Sequence, residues 1–331
     1  MTRRLDDIDA RILELIQLEL PLDARPFDAI AKAVSIAPEE ALNRIRRMKS
    51  DGIIRQISAI FDSTALGYIG ALVAFKVSDE ALEHVASNVA AHSSVSHCYS
   101  RNADYNLWFT LTIGPDDDLD RHIDELALLD GVQSHMTLPA IKVFKIGVFL
   151  KLTGAVSSDD HETNLRRKIS SGLSTLHSPL SIKVAKALQT DLPLVERPFS
   201  DLAGQSGMSE VELLNYARAF LDNGVMRRYA AVLRHRKVGY TFNAMICWQV
   251  EPDMIDETGY RFAQRLSVSH CYQRPTFPDW PYALYTMVHS RSQDELDSVI
   301  AELVLDSHNS PHLILNTITE YKKTRVSYFH S

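Results

Sequence analysis

A chain of 331 residues, 45% of them apolar and 23% charged, suits roughly two to four packed units and is too apolar to stay unfolded. Its formal net charge of −7 gives no overall attraction to nucleic acid or an anionic membrane, so an anionic ligand must be held by local basic residues. Three cysteines, Cys98, Cys247 and Cys271, without a C-x-x-C pair, argue against a disulfide framework or thiolate metal site. No apolar run approaches a membrane span. The expectation is a soluble protein of a reducing cytoplasm, with no bound metal and no membrane partner.

From the start, Leu5, Ile8, Ile12, Leu15 and Ile16 fall at helical spacing and predict an amphipathic helix over residues 6–18, ended by Pro21. A second helix is expected over 27–34 after Pro26. A third starts at Pro38, a residue well tolerated in a first helical turn, and stops at Asp51-Gly52. Residues 53–61 read as the strand of a wing, completing a winged helix-turn-helix. After Gly67 the period changes. Strands are expected over 68–77, 95–101, 105–113, 132–138 and 140–150, with helices over 79–91 and 116–129. The second of these helices is favoured by Asp116-Asp117-Asp118 near its positive dipole end. The order β-α-β-β-α-β is that of a ferredoxin-like fold.

Residues 153–172, rich in Ser, Asp and Arg, read as a linker, and beyond them the chain begins again. Leu20 to Phe27 returns as Leu192 to Phe199, an offset of 192 − 20 = 172, and Gly52, Arg55, Gly67 and Tyr68 return as Gly224, Arg227, Gly239 and Tyr240. The class is therefore α+β, a tandem duplication of a winged helix-turn-helix plus a ferredoxin-like domain. The boundaries are 1–62 and 63–152 in the first copy, 153–172 for the linker, and 173–234 and 235–331 in the second. Two fused copies are expected to pack as an intramolecular pseudo-dimer.

The third helix of the first copy carries Arg44, Arg46, Arg47 and Lys49, a phosphate-contacting set, but the second copy has Tyr216, Arg218, Ala219 and Leu221 in their places. A symmetric reader needs two competent helices, so DNA is not the expected partner, and the basic helix reads equally as a solvated face.

The feature kept by both copies is V-S-H-C-Y-x-R, at Val95 to Arg101 and Val268 to Arg274. On a strand, His97, Tyr99 and Arg101 share one face and Ser96, Cys98 and Ser100 the other; His270, Tyr272 and Arg274 repeat the first set. Arginine holds carboxylates in bidentate fashion, and histidine exchanges a proton near neutral pH. Arg55 and Arg227, His135 and His312, and Lys145 and Lys322 are also duplicated. Tyr105, Tyr282, Trp108, Trp280 and Phe277 are available to wall a flat apolar ligand, together describing a pocket for a large aromatic polyanion. The plainer readings are backbone-satisfied histidines at 135 and 312, exposed strand lysines, Trp108 and Tyr285 in the core, and Cys98 and Cys271 as small buried hydrophobes.

The opening Leu5 to Leu13 followed by β-α-β-β-α-β resembles the Lrp/AsnC regulators. The H-C-Y-x-R strands, Tyr105 to Trp108 and Trp280 to His289 more narrowly resemble the siroheme decarboxylases of alternative haem and haem d1 biosynthesis, in a fused NirD-NirL arrangement covering nearly the whole chain. The resemblance implies siroheme as substrate, loss of its C12 and C18 acetate carboxylates as carbon dioxide to give didecarboxysiroheme, and no organic cofactor, the iron being the substrate's own. It implies His97 or His270 as proton donor with Tyr99 or Tyr272 orienting the leaving carboxylate or the acid. Arg101 and Arg274, helped by Arg55 or Arg227, would hold the carboxylates that stay. His135, His312, Trp280, Tyr282 and Tyr105 complete the expected substrate site, and an axial contact with the substrate iron is a second role for one histidine. Companion subunits of the family and higher homo-oligomers are admitted. A DNA-binding regulator and a non-catalytic tetrapyrrole sensor stay open as alternatives.

Overall fold

The computed structural model describes residues 5–153 and 178–329, so the expected linker, apart from Thr153, lies outside the described residues. In chain order the first half carries α1 (Asp7–Leu18), α2 (Pro26–Ala33), α3 (Pro38–Ser50), β1 (Ile54–Phe61), β2 (Ile69–Val77), α4 (Leu82–Ala91), β3 (Val95–Arg101), β4 (Leu107–Ile113), α5 (Leu119–Ala127), β5 (Val132–Pro139) and β6 (Lys142–Ile146). The second half carries α6 (Pro179–Gln189), α7 (Pro198–Gln205), α8 (Glu210–Asp222), β7 (Met226–Leu233), β8 (Phe242–Trp248), α9 (Ile255–Gln264), β9 (Val268–Gln273), β10 (Leu284–Ser290), α10 (Gln293–Asp306), β11 (His312–Leu315) and β12 (Thr317–Lys323). These elements form two compact units, each drawing on both halves. One comprises Met1–Leu66, Phe149–Gly239 and Ser327–Ser331; the other comprises Gly67–Val148 and Tyr240–Val326.

The first unit joins the two winged helix-turn-helix copies. The N-terminus of α1 is closed by a capping box in which the Asp9 backbone N–H donates to the Asp6 carboxylate at 2.7 Å, and the helix buries Ile12, Leu13 and Ile16. Pro26 and Pro38 open α2 and α3, where a missing N–H costs nothing. β1 and β7 pair antiparallel with Ser58 opposite Ala230. That partner is its own equivalent in the repeat, 230 − 58 = 172, so the two wings meet about a local pseudo-twofold axis. Matching bonds flank the axis: the Leu20 N–H donates to the Tyr229 carbonyl at 2.7 Å and the Leu192 N–H to the Ile57 carbonyl at 2.8 Å.

The cations of α3 are engaged within this unit. Arg44 pairs with Asp6, Asp9 and Glu40, Arg47 with Asp9, and Lys49 with Asp191. Arg46 donates to the Leu194 carbonyl at 2.8 Å, and Arg218 returns the same bond to the Leu22 carbonyl at 2.7 Å.

The second unit contains two five-stranded sheets, ordered β12-β3-β4-β2-β5 and β11-β8-β10-β9-β6. Four strands of each follow the ferredoxin-like order, and the fifth comes from the other half. The expectation that residues 140–150 close their own sheet is therefore corrected: β6 pairs with β9, and β12 with β3. Pro139, at the last pairing of β5 with β2, has no N–H to extend that ladder, and two residues on the Ile141 N–H bonds the Gln273 carbonyl at 2.9 Å. At the corresponding step before β12, the Asn316 N–H leaves the ladder for the Asn102 side-chain carbonyl at 2.6 Å.

Three cores result. Val73, Phe75, Cys98, Phe109 and Leu111 pack beneath α4 and α5. Ile246, Trp248, Cys271 and Leu284 pack beneath α9 and α10 around Phe262. A third core lies between the sheets, with Trp108, Met136, Leu138, Met245, Cys247, Trp280, Tyr285 and Leu315.

Candidate active site

β3 and β9 present their repeated side chains in two registers. Cys98 and Cys271 point into the helix-side cores, as small buried hydrophobes should. Tyr99 lies across from Trp108 and Tyr272 across from Tyr285. Because cross-strand partners share a face and Trp108 and Tyr285 belong to the inter-sheet core, His97, Tyr99 and Arg101, with His270, Tyr272 and Arg274, line the faces that the sheets turn towards each other.

Each set is a short ladder. The His97 and Tyr99 rings stack at 6.2 Å and 30°, and those of His270 and Tyr272 at 6.0 Å and 20°. Arg101 lies 5.4 Å from the Tyr99 ring centre; Arg274 lies 4.8 Å from that of Tyr272 and 5.6 Å from that of Tyr285. The Arg101 Nη1 donates to the Leu315 carbonyl at 2.8 Å, and the Arg274 Nη1 to the Leu138 carbonyl, so each arginine crosses to a strand of the facing sheet. Among the described residues, no partner meets either Nε. Burial depresses the pKa of both guanidiniums, although arginine remains charged. Cys247 lies near both but supplies no counter-charge, because burial pushes its thiol far above the ordinary range. Two buried cations thus stand without a carboxylate partner among the described residues, an arrangement that costs several kcal/mol unless an anion completes it.

The other expected site residues divide. Trp280 and Tyr105 lie beside this face, but they pack as core, with ring centres 5.7 Å apart and Trp280 5.5 Å from Trp108. Tyr282 is half-buried against Trp280 at 4.9 Å, and the Tyr105 hydroxyl donates to Asp279 at 2.9 Å. His135 and His312 do not join the ladders. Met136 and Leu138 on β5, and Leu313 and Leu315 on β11, face the inter-sheet core. The alternation of a strand therefore sends both histidines to the opposite face, where His135 edges Phe75 and His312 tilts over Trp248. Arg55 is on β1 and Arg227 on β7 of the winged-helix unit, and Arg227 is held by Asp62 at 2.6 Å.

Lys145 and Lys322 are not the solvated strand charges expected of them. Their ammonium groups reach the carbonyls of Arg265 and His92 at 2.7 and 2.8 Å, which are the C-caps of α9 and α4. Burial brings the Lys145 pKa down to about 8.

Sequence alternation also missed a serine pair. Register shifts in both strands, between Val95 and His97 and between Val268 and His270, bring Ser96 Oγ to 3.0 Å from His97 Nδ1 and Ser269 Oγ to 2.9 Å from His270 Nδ1. A β-bulge re-aims side chains in this way, and the repeated Ser-His dipeptide was its visible trace. His289, on β10, falls on the same face as Tyr285 and Met287.

Two family models match the chain. An AsnC-like ligand binding domain matches residues 65–145 and 237–322, and a siroheme decarboxylase NirDL-like HTH domain matches residues 9–55 and 182–227. A siroheme decarboxylase of Hydrogenobacter thermophilus is 38% identical, covering 96% of this chain and 94% of its own. The chain belongs to the siroheme decarboxylase family. A crystal structure of the siroheme decarboxylase NirDL in co-complex with an iron-uroporphyrin III analogue superposes with a TM-score of 0.72 at 34% identity, covering 98% of this chain and 95% of that one. A shorter relative, the siroheme decarboxylase beta subunit of Desulfovibrio desulfuricans, is 39% identical over 46% of this chain and 96% of its own. Members of this family thus include both duplicated chains and chains of half the length.

Proposed function

We propose that the chain is a carboxy-lyase that converts siroheme to 12,18-didecarboxysiroheme. Family membership supports the substrate. The observation that carries the reading is the pair of guanidiniums of buried Arg101 and half-buried Arg274, whose buried Nε atoms have no partner among the described residues and which lie on the same strand faces as His97, Tyr99, His270 and Tyr272. Such cations suit a ligand rich in carboxylates, and arginine binds carboxylate through its planar fork.

In the reaction the bond from an acetate methylene to its carboxylate breaks, carbon dioxide leaves, and the electron pair remains on the methylene carbon. The conjugated macrocycle delocalises that charge, so no organic cofactor is required, and His97 or His270 supplies the proton that completes the methyl group. The neighbouring tyrosine, stacked on each imidazole, orients the leaving carboxylate or the acid. The arginines hold carboxylates that are retained. Companion subunits of the family, assembly of several copies and a cytoplasmic setting belong to the same proposal.

Anaerobic incubation of the purified protein with siroheme, followed by mass analysis, tests it. Loss of 44 or 88 mass units, equal to one or two molecules of carbon dioxide at about 44 each, is expected for the wild type, because no other atoms leave in the step above. The double variant His97→Ala/His270→Ala is expected to bind siroheme without mass loss. Turnover surviving in that variant would remove the histidine acid. A DNA-binding regulator is disfavoured by the engagement of Arg44, Arg46, Arg47 and Lys49 within the winged-helix unit.

A further inference from the structure

The two Ser-His pairs are not chemically equal. Ser269 is 3% exposed, and its Oγ lies 2.9 Å from His270 Nδ1 and 3.1 Å from the carbonyl oxygen of Met287 on the adjacent strand. A carbonyl only accepts, so the single hydroxyl hydrogen goes to Met287, and only lone pairs are left facing the imidazole. The short contact with Nδ1 is then a hydrogen bond only if Nδ1 carries a hydrogen. In the first copy Ser96 Oγ is 3.0 Å from His97 Nδ1, but among the described residues no carbonyl takes its hydrogen. That serine is free to donate to the ring or to accept from it.

We propose that Ser269 is a positioning residue that holds His270 as its Nδ1–H tautomer, so that Nε2 is the nitrogen that delivers the proton replacing the lost carboxylate. This rests on the decarboxylase reading above. The imidazolium gives up its Nε2 proton, the N–H bond there breaks, and a C–H bond forms with the electron pair left on the methylene carbon. The neutral ring that remains is the tautomer Ser269 already bonds, so the serine contact is kept throughout the transfer. The opposite tautomer would place two lone pairs against each other across the 2.9 Å contact. The bulge makes the arrangement possible, since adjacent side chains of a regular strand point to opposite faces. The second copy is thereby set as a directed proton donor, whereas the first has a rotor in place of a fixed acceptor.

The test uses the full chain labelled with ¹⁵N-histidine, read above the titration range of the ring, with His270 assigned from the signals lost in His270→Gln. In the wild type Nδ1 is expected to carry the hydrogen and Nε2 to give the signal of an unprotonated nitrogen. Ser269→Ala should show mixed tautomers, and Ser269→Thr, which keeps the hydroxyl, should restore the wild-type pattern. In siroheme turnover, Ser269→Ala is expected to lower kcat about fivefold, the worth of one neutral hydrogen bond, with KM little changed. Ser96→Ala is expected to lower kcat less. An Nε2–H tautomer in the wild type, or a Ser269→Ala variant unchanged in both tautomer and kcat, would overturn the proposal. Full turnover by His270→Gln would overturn delivery from His270, while the nitrogen signals still decided the tautomer independently of activity.

Discussion

Replacing Arg274 by methionine separates what this residue does for folding from what it does for a ligand. The variant loses one charge-assisted bond to the Leu138 carbonyl, a net contribution of about 1.5–3 kcal/mol. It also loses the contacts with the Tyr272 and Tyr285 rings, together about 1–2 kcal/mol. Against this, a guanidinium buried without a counter-ion costs several kcal/mol, and methionine relieves that cost while filling similar space. The two are of similar size and nearly offset, so the free variant should melt within a few degrees of the wild type. Siroheme binding should fall. A charge-assisted bond to a carboxylate contributes about 1.5–3 kcal/mol, and its loss weakens the Kd by roughly 10- to 150-fold at about 1.4 kcal/mol per decade. Thermal melts of the free protein and anaerobic absorbance titration with siroheme measure the two effects. A variant that melts several degrees lower, at roughly 2–4 °C per kcal/mol for a protein of this size, yet binds siroheme unchanged, would show that Arg274 is only a clasp between sheets.

Lys145→Met should expose a pH-dependent cost. With its pKa lowered from 10.5 to about 8, Lys145 binds fewer protons folded than unfolded between those values, so wild-type stability rises with pH across that window and is lost as pH falls through it. The gain is at most about 3 kcal/mol, and urea melts at pH 7.5 and 10 should show it in the wild type but not in the variant; equal pH dependence would refute the assignment. Trp108→Ala removes a side chain that is 1% exposed between the sheets and should cost about 3–5 kcal/mol by urea unfolding. A loss below about 1 kcal/mol would mean that the facing sheets collapse to fill the space.

Local pattern made most of the fold legible. Apolar spacing located α1, the two prolines at 26 and 38 marked helix starts, and the change of period after Gly67 marked the first sheet. The ladder faces of β3 and β9 followed from alternation alone, since Cys98 and Tyr99 do face opposite cores. The exchange of β6 and β12 was not legible, because periodicity reports which face a residue takes and is silent on which sheet edge receives the strand. Repetition likewise could not tell a ladder histidine from His135 or His312; the deciding fact is their parity with Met136 and Leu313 on strands whose register only the structure supplies. Lys145 and Lys322 misled for a related reason. A lysine on an edge strand usually meets water, but the helix C-caps above these two offer carbonyls within reach. Ser96 was assigned to the far face by strict alternation, which a bulge suspends there and at Ser269.

The exchanged edge strands bear on how such a chain can be divided. Cut between its halves, each fragment would carry a strand that fits only its sibling's sheet, β6 seeking β9 and β12 seeking β3, and would present an unpaired edge in place of the one it gave away. Two such pieces would complement each other as an obligate couple, each finishing the other's architecture. Carrying both halves in one chain therefore fixes the stoichiometry of supply at one to one, and leaves the geometry of mutual completion as it would be in two separate polypeptides.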